Sequence, residues 1–227
     1  MRTCPYTLVQ IIFSMHIITQ VFRVDKSYSL LRENFSSNKR KWEIIDNKNE
    51  KAFIDKESYF MENKSVSHWH YYKVKTPLKS KDEFVIETEI QLLSKDQFGH
   101  FGLLWGFDKE DDVLNKFTIS ADGERALMMQ FEKNHKKNYY RIQCRDFNKI
   151  NTNNPVKMSI IKLGGYYYFC INNALINIVN ESHFVITGSY LGFYLEPGIA
   201  IKSNWLEIKK LTARKMKSVS GLEMMLG

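Results

Sequence analysis

The chain has 227 residues, of which 44% are hydrophobic, 14% aromatic and 26% charged. This composition excludes an intrinsically disordered chain, and the length favours one main domain with a substantial core. The formal net charge is +8 and the pI is about 9.2. The positive charge favours anionic partners, but the lysines are scattered, and no zinc-finger, RNA-recognition or helix-turn-helix motif accompanies them, so no nucleic-acid partner is expected.

The amino-terminal segment, residues 1–28, differs from the rest of the chain. Residues 4–22 contain no Asp, Glu, Lys or Arg and are rich in Ile, Val, Leu and Phe. This pattern is typical of a secretory signal or a marginal membrane anchor. Polar residues such as Gln10 and His16 interrupt it, and no small-residue cleavage site precedes Arg23. An added strand, a packed helix and an over-extended translation start remain alternatives. Membrane contact is expected only if the segment is an anchor, and localisation stays open between export, anchoring and the cytoplasm, with the cytoplasm preferred.

The body of the chain, residues 29–211, has an every-other-residue hydrophobic pattern. In the first clear strand candidate, residues 84–93, Phe84, Ile86 and Ile90 point to one side, whereas Glu87 and Glu89 point to the other. Similar stretches are residues 101–107, 116–121, 156–163 and 190–196. Because strong helical periodicity is absent, the pattern predicts an all-β sandwich. Residues 212–227 form a basic, Met-containing tail.

Glycine-containing turns separate the strand candidates. Asp122-Gly123 and Gly164-Gly165 are typical of tight hairpins. Within residues 101–107, Gly102 and Gly106 alternate with large apolar residues, so the backbone there must bend or be closely approached by a neighbouring strand or a ligand.

Several short segments resemble the concanavalin A-like lectin/glucanase superfamily. These segments are Glu33-Asn34-Phe35 with Trp42 seven residues on, residues 82–87 and residues 99–106. Later segments, including residues 167–169 and 191–194, are similar to laminin G-like domains and 3-keto-disaccharide hydrolase-type relatives. The resemblance implies a jelly roll of two antiparallel sheets, one of them concave and often used to hold sugars, sometimes with calcium at a rim.

The acidic residues give weak support for catalysis. Glu87 and Glu89 lie two apart, about 7 Å on a strand, a separation that permits glycoside hydrolysis. Glucanases of the superfamily carry a third carboxylate on this strand, and here that position is Gln91. No catalytic motif of the 3-keto-disaccharide hydrolase type maps onto the chain, so we assign no catalytic residue.

Metal and cysteine chemistry are also weakly indicated. His68 and His70 could bind a metal if His100 or Asp96 came near, but surface or partly buried histidines are favoured. The loop Asp108, Glu110, Asp111 and Asp112 could hold calcium, although a solvated turn is the preferred interpretation, so no cofactor is expected. Cys144 and Cys170 are interpreted as buried free thiols.

The sequence therefore favours a non-catalytic binding module that recognises carbohydrate or a protein partner through the concave sheet or rim loops. The alternatives are a glycoside-processing hydrolase of the 3-keto-disaccharide type and a structural, self-associating protein. The candidate ligand-binding residues are Trp69, Glu87, Glu89, Tyr139 and Arg141. Trp69 could instead point into the core, and the glutamates could be ordinary solvent-facing strand residues.

Overall fold

The computed structural model describes residues 22–94, 98–108, 113–132, 138–144 and 147–215. These residues form fifteen strands and one short 3-10 helix, Glu181–His183. The strands, in chain order, are β1 Phe22–Glu33, β2 Ile45–Asp46, β3 Glu50–Asp55, β4 Ser58–Asn63, β5 His70–Lys75, β6 Phe84–Leu92, β7 His100–Phe107, β8 Val113–Ser120, β9 Ala126–Glu132, β10 Asn138–Cys144, β11 Val156–Leu163, β12 Tyr166–Ile171, β13 Ala174–Asn180, β14 Tyr190–Leu195 and β15 Ala200–Lys215. No helix in these ranges is long and apolar enough to cross a membrane.

The strands form two antiparallel sheets. The nine-stranded sheet has the order β13-β12-β11-β6-β15-β4-β3-β2, and β1 also pairs with β15. The six-stranded sheet has the order β10-β9-β8-β7-β14-β5. The chain passes repeatedly from one sheet to the other, so strands adjacent in sequence, such as β6 and β7, belong to different sheets. The predicted all-β jelly-roll sandwich is confirmed.

The main core lies between the two sheets. Alternate residues of β6 and β7 face it, including Phe84, Ile86 and Trp105, all at most 1% exposed. The Trp105 ring lies 5.7 Å from the ring of Phe169 and 5.3 Å from that of Phe184. The period-two pattern of the sequence therefore marks the inward face of each strand.

The segment that carries the first part of the superfamily resemblance closes one side of this core. Glu33 accepts hydrogen bonds from the backbone N–H of Phe35 at 2.9 Å and from the indole N–H of Trp42 at 3.2 Å. The Phe35 and Trp42 rings are 5.6 Å apart. These bonds satisfy a buried carboxylate and fix the turn that brings both rings inward.

Neighbouring backbone explains the glycine in the middle of β7. A Cβ atom on Gly102 would lie 2.2 Å from the carbonyl oxygen of Phe117 in β8. Of the two occupants expected from the sequence, the neighbouring strand fills this space.

The paired ends of the sandwich extend past the expected domain limits. β1 begins at Phe22 and β15 ends at Lys215, and these two residues are register partners. Residues 1–21 and 216–227 lie outside the described residues. The interpretation of the amino terminus as a signal or anchor, and of the carboxyl end as a tail, stays a prediction.

Candidate functional site

The outer face of the six-stranded sheet carries a second apolar cluster. Several residues of β7, β8 and β9 that point away from the main core are also apolar and buried, among them Leu104, Leu114 and Met129. An antiparallel sheet usually leaves such a face to water. Here six rings lie over it, which we name the aromatic cluster: Trp69, Tyr71, Phe107, Phe131, Tyr190 and Tyr194.

Ring contacts across the sheet show that the aromatic cluster fills a hollow. Trp69 immediately precedes β5, and its ring stacks on Tyr194 at 5.5 Å and meets Phe131 of β9 at 5.8 Å. Because β5 and β9 are four strand spacings apart, or about 19 Å, side chains must lean inward from both sides to make this contact. Trp69, Tyr71 and Tyr190 remain partly exposed and form the accessible part of the cluster.

Lys116 of β8 lies within the aromatic cluster. Its side chain is 3% exposed, and its ammonium nitrogen lies 4.3 Å from the ring centre of Tyr194 and 5.1 Å from that of Phe131. The ammonium donates a hydrogen bond of 3.2 Å to the Tyr194 hydroxyl. Burial lowers the pKa of Lys116 to about 8, against the opposing charge of Glu196 and with a contribution from Arg141. The rings stabilise the cation by cation–π attraction but replace little of the water it has lost.

Glu196 and His100 extend this polar group toward the rim. His100 Nδ1 lies 3.0 Å from a carboxylate oxygen of Glu196, which also accepts a 3.0 Å hydrogen bond from the His100 backbone N–H. Burial opposes ionisation of Glu196, but the His100 hydrogen bonds and the charges of His100 and Lys116 outweigh it and hold the pKa of this carboxyl below its usual range. Glu196 is therefore an ionised acceptor at neutral pH.

Two buried polar atoms on this face have no hydrogen-bond partner among the residues that the structure describes. They are Nε2 of His100 and Oγ1 of Thr118, a residue that is 0% exposed. Thr118 lies opposite Gly102 in the β7–β8 register, and His100 lies two residues before Gly102. Buried polar groups are nearly always satisfied in proteins, so these two atoms are local exceptions beneath the aromatic cluster, out of reach of solvent.

The five candidate ligand-binding residues are divided between two faces of the sandwich. Trp69 and Arg141 lie on the outer face of the six-stranded sheet, where Arg141 is exposed. Tyr139 belongs to β10, but its side chain lies outside what the structure describes. Glu87 and Glu89 lie on β6, with their side chains on the outer face of the nine-stranded sheet. The structure therefore does not bring these residues to one sheet, because β6 and β5 belong to opposite sheets.

Glu87 is the centre of an ion-pair cluster. Its carboxylate oxygens lie 2.8 Å from the ammonium of Lys157 and 3.5 Å from that of Lys209, and Ser159 donates a 3.2 Å hydrogen bond to it. Burial opposes ionisation, but the hydrogen bond and charge of Lys157, together with Lys209, lower the pKa of Glu87. Because the two lysines compensate its charge, this ion-pair cluster is a sufficient structural role for Glu87 on its strand.

The histidines do not converge on a metal site. His70 Nδ1 lies 3.1 Å from Glu50, His68 is hydrogen-bonded to Ser67, and His100 pairs with Glu196. Within the ranges that the structure covers, no group of three or more His, Cys, Asp or Glu residues could hold a metal ion.

The remaining metal and cysteine candidates have different outcomes. Asp96, Glu110, Asp111 and Asp112 lie outside the described residues, so the calcium loop stays a prediction. Cys144 and Cys170 are partly buried, Asn177 donates a hydrogen bond of 3.2 Å to the Cys144 sulfur, and burial raises the pKa of Cys170 to about 11.

Sequence reasoning missed Lys116, Tyr194 and Glu196. Lys116 and Tyr194 belong to strands whose inward residues were recognised, and Glu196 directly follows β14. Each occupies an outward position where a polar or aromatic residue is unremarkable by itself. A usable signal was the presence of leucines, Leu104 in β7 and Leu114 in β8, at outward positions, which distinguishes a strand buried on both faces from one with a wet face.

Comparisons with solved structures agree with the fold. The chain is similar to a protein of unknown function with a galectin-like fold from Bacillus subtilis, with a TM-score of 0.63, 13% identity, and coverage of 86% of this chain and 100% of that one. It is also similar to a Bacillus licheniformis beta-glucanase, with a TM-score of 0.58, 10% identity and coverage of 79% and 97%. The catalytic domain of a Thermotoga petrophila endo-1,3-beta-glucanase gives a TM-score of 0.58, 7% identity and coverage of 83% and 100%. No protein-family model and no curated protein sequence matches the chain.

The fold is therefore a concanavalin A-like jelly roll, as the sequence resemblance implied. The low identities establish the architecture and leave the function to the chemistry of the site.

Proposed function

We propose that this protein is a non-catalytic carbohydrate-binding module that holds its ligand on the outer face of the six-stranded sheet. The observation that carries the proposal is the partly exposed edge of the aromatic cluster, Trp69, Tyr71 and Tyr190, next to polar side chains. An exposed aromatic ring can pack against the apolar face of a sugar ring while neighbouring polar groups bond its hydroxyls. Two of the structures with the same fold are named as glucanases, which supports carbohydrate as the ligand class.

Glycoside hydrolysis is the second candidate function. It needs a carboxylic acid with a raised pKa to protonate the leaving group. Glu87 and Glu196 have lowered pKa values and do not suit this role. Partial burial and the charge of Glu50 raise the pKa of Glu43, which makes Glu43 the acid to examine if hydrolysis is detected. Glu43 lies just before β2 of the nine-stranded sheet, and its charge interacts with those of Lys73 and His70 in β5 of the opposite sheet.

Self-association is the third candidate. Val66 and Phe98 are 94% and 83% exposed, and single exposed apolar side chains are common on monomers. These two side chains are weaker support than the aromatic cluster, and the sedimentation coefficient over a range of protein concentrations tests this alternative directly.

Binding is tested by isothermal titration with laminarihexaose and with an acidic hexasaccharide, oligogalacturonate. The Trp69→Ala variant should lose at least about tenfold in affinity for any oligosaccharide that the wild type binds, because aromatic contacts dominate such interfaces. Tyr166→Ala is the matched control, since Tyr166 is 37% exposed and lies on β12 of the other sheet. Tyr190→Ala serves as a second variant if Trp69→Ala does not fold. Equal losses in the Trp69 and Tyr166 variants, or no wild-type binding, would contradict the proposal, and release of reducing ends would favour the hydrolase.

A further inference from the structure

We infer that the carbohydrate held on this face is anionic and carries carboxylate or sulfate groups, an inference that rests on the proposed function. The basis is the arrangement of cations along one row of the six-stranded sheet.

Strand register places this cationic row across all six strands. The row takes one residue from each strand, in order from β5 to β10, and each residue is the register partner of the next. These residues are Lys73, Gly192, Leu104, Lys116, Met129 and Arg141. Five strand spacings make this row about 24 Å long. The cationic row thus has a positive charge at each edge of the sheet and one in the middle, and contains no acidic residue.

The two edge cations are accessible. Lys73 is partly exposed, and its ammonium lies 5.2 Å from the ring centres of both Tyr71 and Tyr190. Arg141 is exposed. No ion pair with a carboxylate involves either residue in the described parts of the chain. On the opposite face of the sandwich, by contrast, Lys157 and Lys209 are both paired with Glu87.

Lys116 adds positive charge to the row but does not contact a ligand directly, because its side chain is 3% exposed. The negative charge facing it is that of Glu196, 4.0 Å away, which His100 also binds. An anion near the row would stabilise the desolvated ammonium of Lys116, whereas a neutral ligand would not. A protein that buries a cation beneath its binding face therefore favours a ligand of opposite charge.

The accessible rings beside the row can recognise a sugar rather than a simple ion. Tyr71 and Tyr190, both partly exposed, lie on either side of the Lys73 ammonium, each with its ring centre 5.2 Å away. An oligosaccharide lying across the strands would pack its ring faces on the aromatic side chains and present its acidic groups to Lys73 and Arg141. A single-stranded nucleic acid uses the same combination of rings and cations, so it is the competing ligand that the experiment must include.

The test compares wild-type affinities for oligogalacturonate, laminarihexaose and oligouridylate of six units at low and high salt. We expect oligogalacturonate to bind about tenfold tighter than laminarihexaose at low salt, with the advantage reduced by salt. Lys73→Gln and Arg141→Gln should each weaken oligogalacturonate binding about threefold, as for partly exposed ion pairs. Lys202→Gln, on a partly exposed lysine of β15 in the nine-stranded sheet, is the matched control and should not change it. A sulfated laminarihexaose arm distinguishes sulfate from carboxylate as the preferred group.

The outcomes separate this inference from the proposed function. Equal or tighter binding of laminarihexaose would overturn the anionic preference and leave carbohydrate binding intact. Binding of none of the saccharides would overturn both. Tighter binding of oligouridylate than of any saccharide would assign the face to nucleic acid. Unchanged oligogalacturonate affinity in both the Lys73 and Arg141 variants would show that the cationic row does not hold the ligand.

Discussion

Replacing Lys116 by Met should make the stability of the protein depend differently on pH. Burial lowers the pKa of Lys116 from 10.5 to about 8, and each unit corresponds to about 1.36 kcal/mol, so the protonated form is disfavoured in the folded state by about 3 kcal/mol. Its interaction with Glu196 acts on that same charged form and is already part of the lowered pKa. Met has a similar length and no charge, so it removes this penalty while filling the site among the rings.

The direction of this pH dependence follows from which state, folded or unfolded, binds the Lys116 proton more tightly. Between pH 8 and 10.5 the unfolded chain keeps the Lys116 proton while the folded protein releases it, so the contribution of Lys116 to stability rises with pH across this interval. From pH 8 to pH 10 the rise is about 2 kcal/mol. The Met variant should therefore be more stable than the wild type at pH 7, and this advantage should shrink by about 2 kcal/mol by pH 10.

Urea unfolding followed by tryptophan fluorescence measures both free energies at each pH. The difference between the two proteins is the informative quantity, because Cys170, whose pKa is raised to about 11, titrates in both. Lys202→Met is the control and should differ from the wild type by the same amount at all pH values. A constant difference between Lys116→Met and the wild type from pH 7 to pH 10 would refute the account of a desolvated lysine.

Two further predictions concern turns and ion pairs. Gly123→Ala should destabilise the protein by more than about 2 kcal/mol, because Gly123 has φ of +74° and a Cβ would lie 1.9 Å from the Ile150 carbonyl oxygen. Gly165→Ala should lose only about 1 kcal/mol of stability, because Gly165 has φ of +85° but open space around it. Thermal unfolding of the two variants compares these losses. Glu87, whose pKa is lowered by its lysine partners, contributes stability above its usual pKa of 4.5 that is lost as the pH falls through the lower folded value. Urea unfolding of Glu87→Gln should therefore show a weaker loss of stability below pH 4.5 than the wild type, and parallel acid curves would contradict this.

The fold could be predicted from the sequence because inward positions repeat every second residue. The strand candidates at residues 84–93, 156–163 and 190–196 agree with β6, β11 and β14 to within one residue at each end. Hairpins such as Gly164-Gly165 are marked by local chemistry. These features depend on residues close together in the chain, so a single sequence contains them.

The site could be predicted only in part because it depends on which sheet each strand joins. The outward side chains of β6 and of β7 have the same alternation, yet those of β6 lie on one face of the sandwich and those of β7 on the other. Glu87 and Trp69 could not be separated without this information. Trp69 was recognised because tryptophan is rare, whereas Lys116 is one of many lysines, and only its burial among rings distinguishes it.

The pairing of individual lysines determines which face of the protein carries the surplus of positive charge. Seen as a sequence, a net charge of +8 spread over turns and strands suggested no particular partner. In the folded chain Lys157 and Lys209 share Glu87, so they contribute little field at their surface. Among the described residues, the cations of the row that ends at Lys73 and Arg141 have one close carboxylate, Glu196 at 4.0 Å from Lys116, and Glu43 acts on Lys73 without forming an ion pair, which leaves that face positive. The location of the surplus, which follows from strand register, thus points to an acidic ligand more directly than its size does.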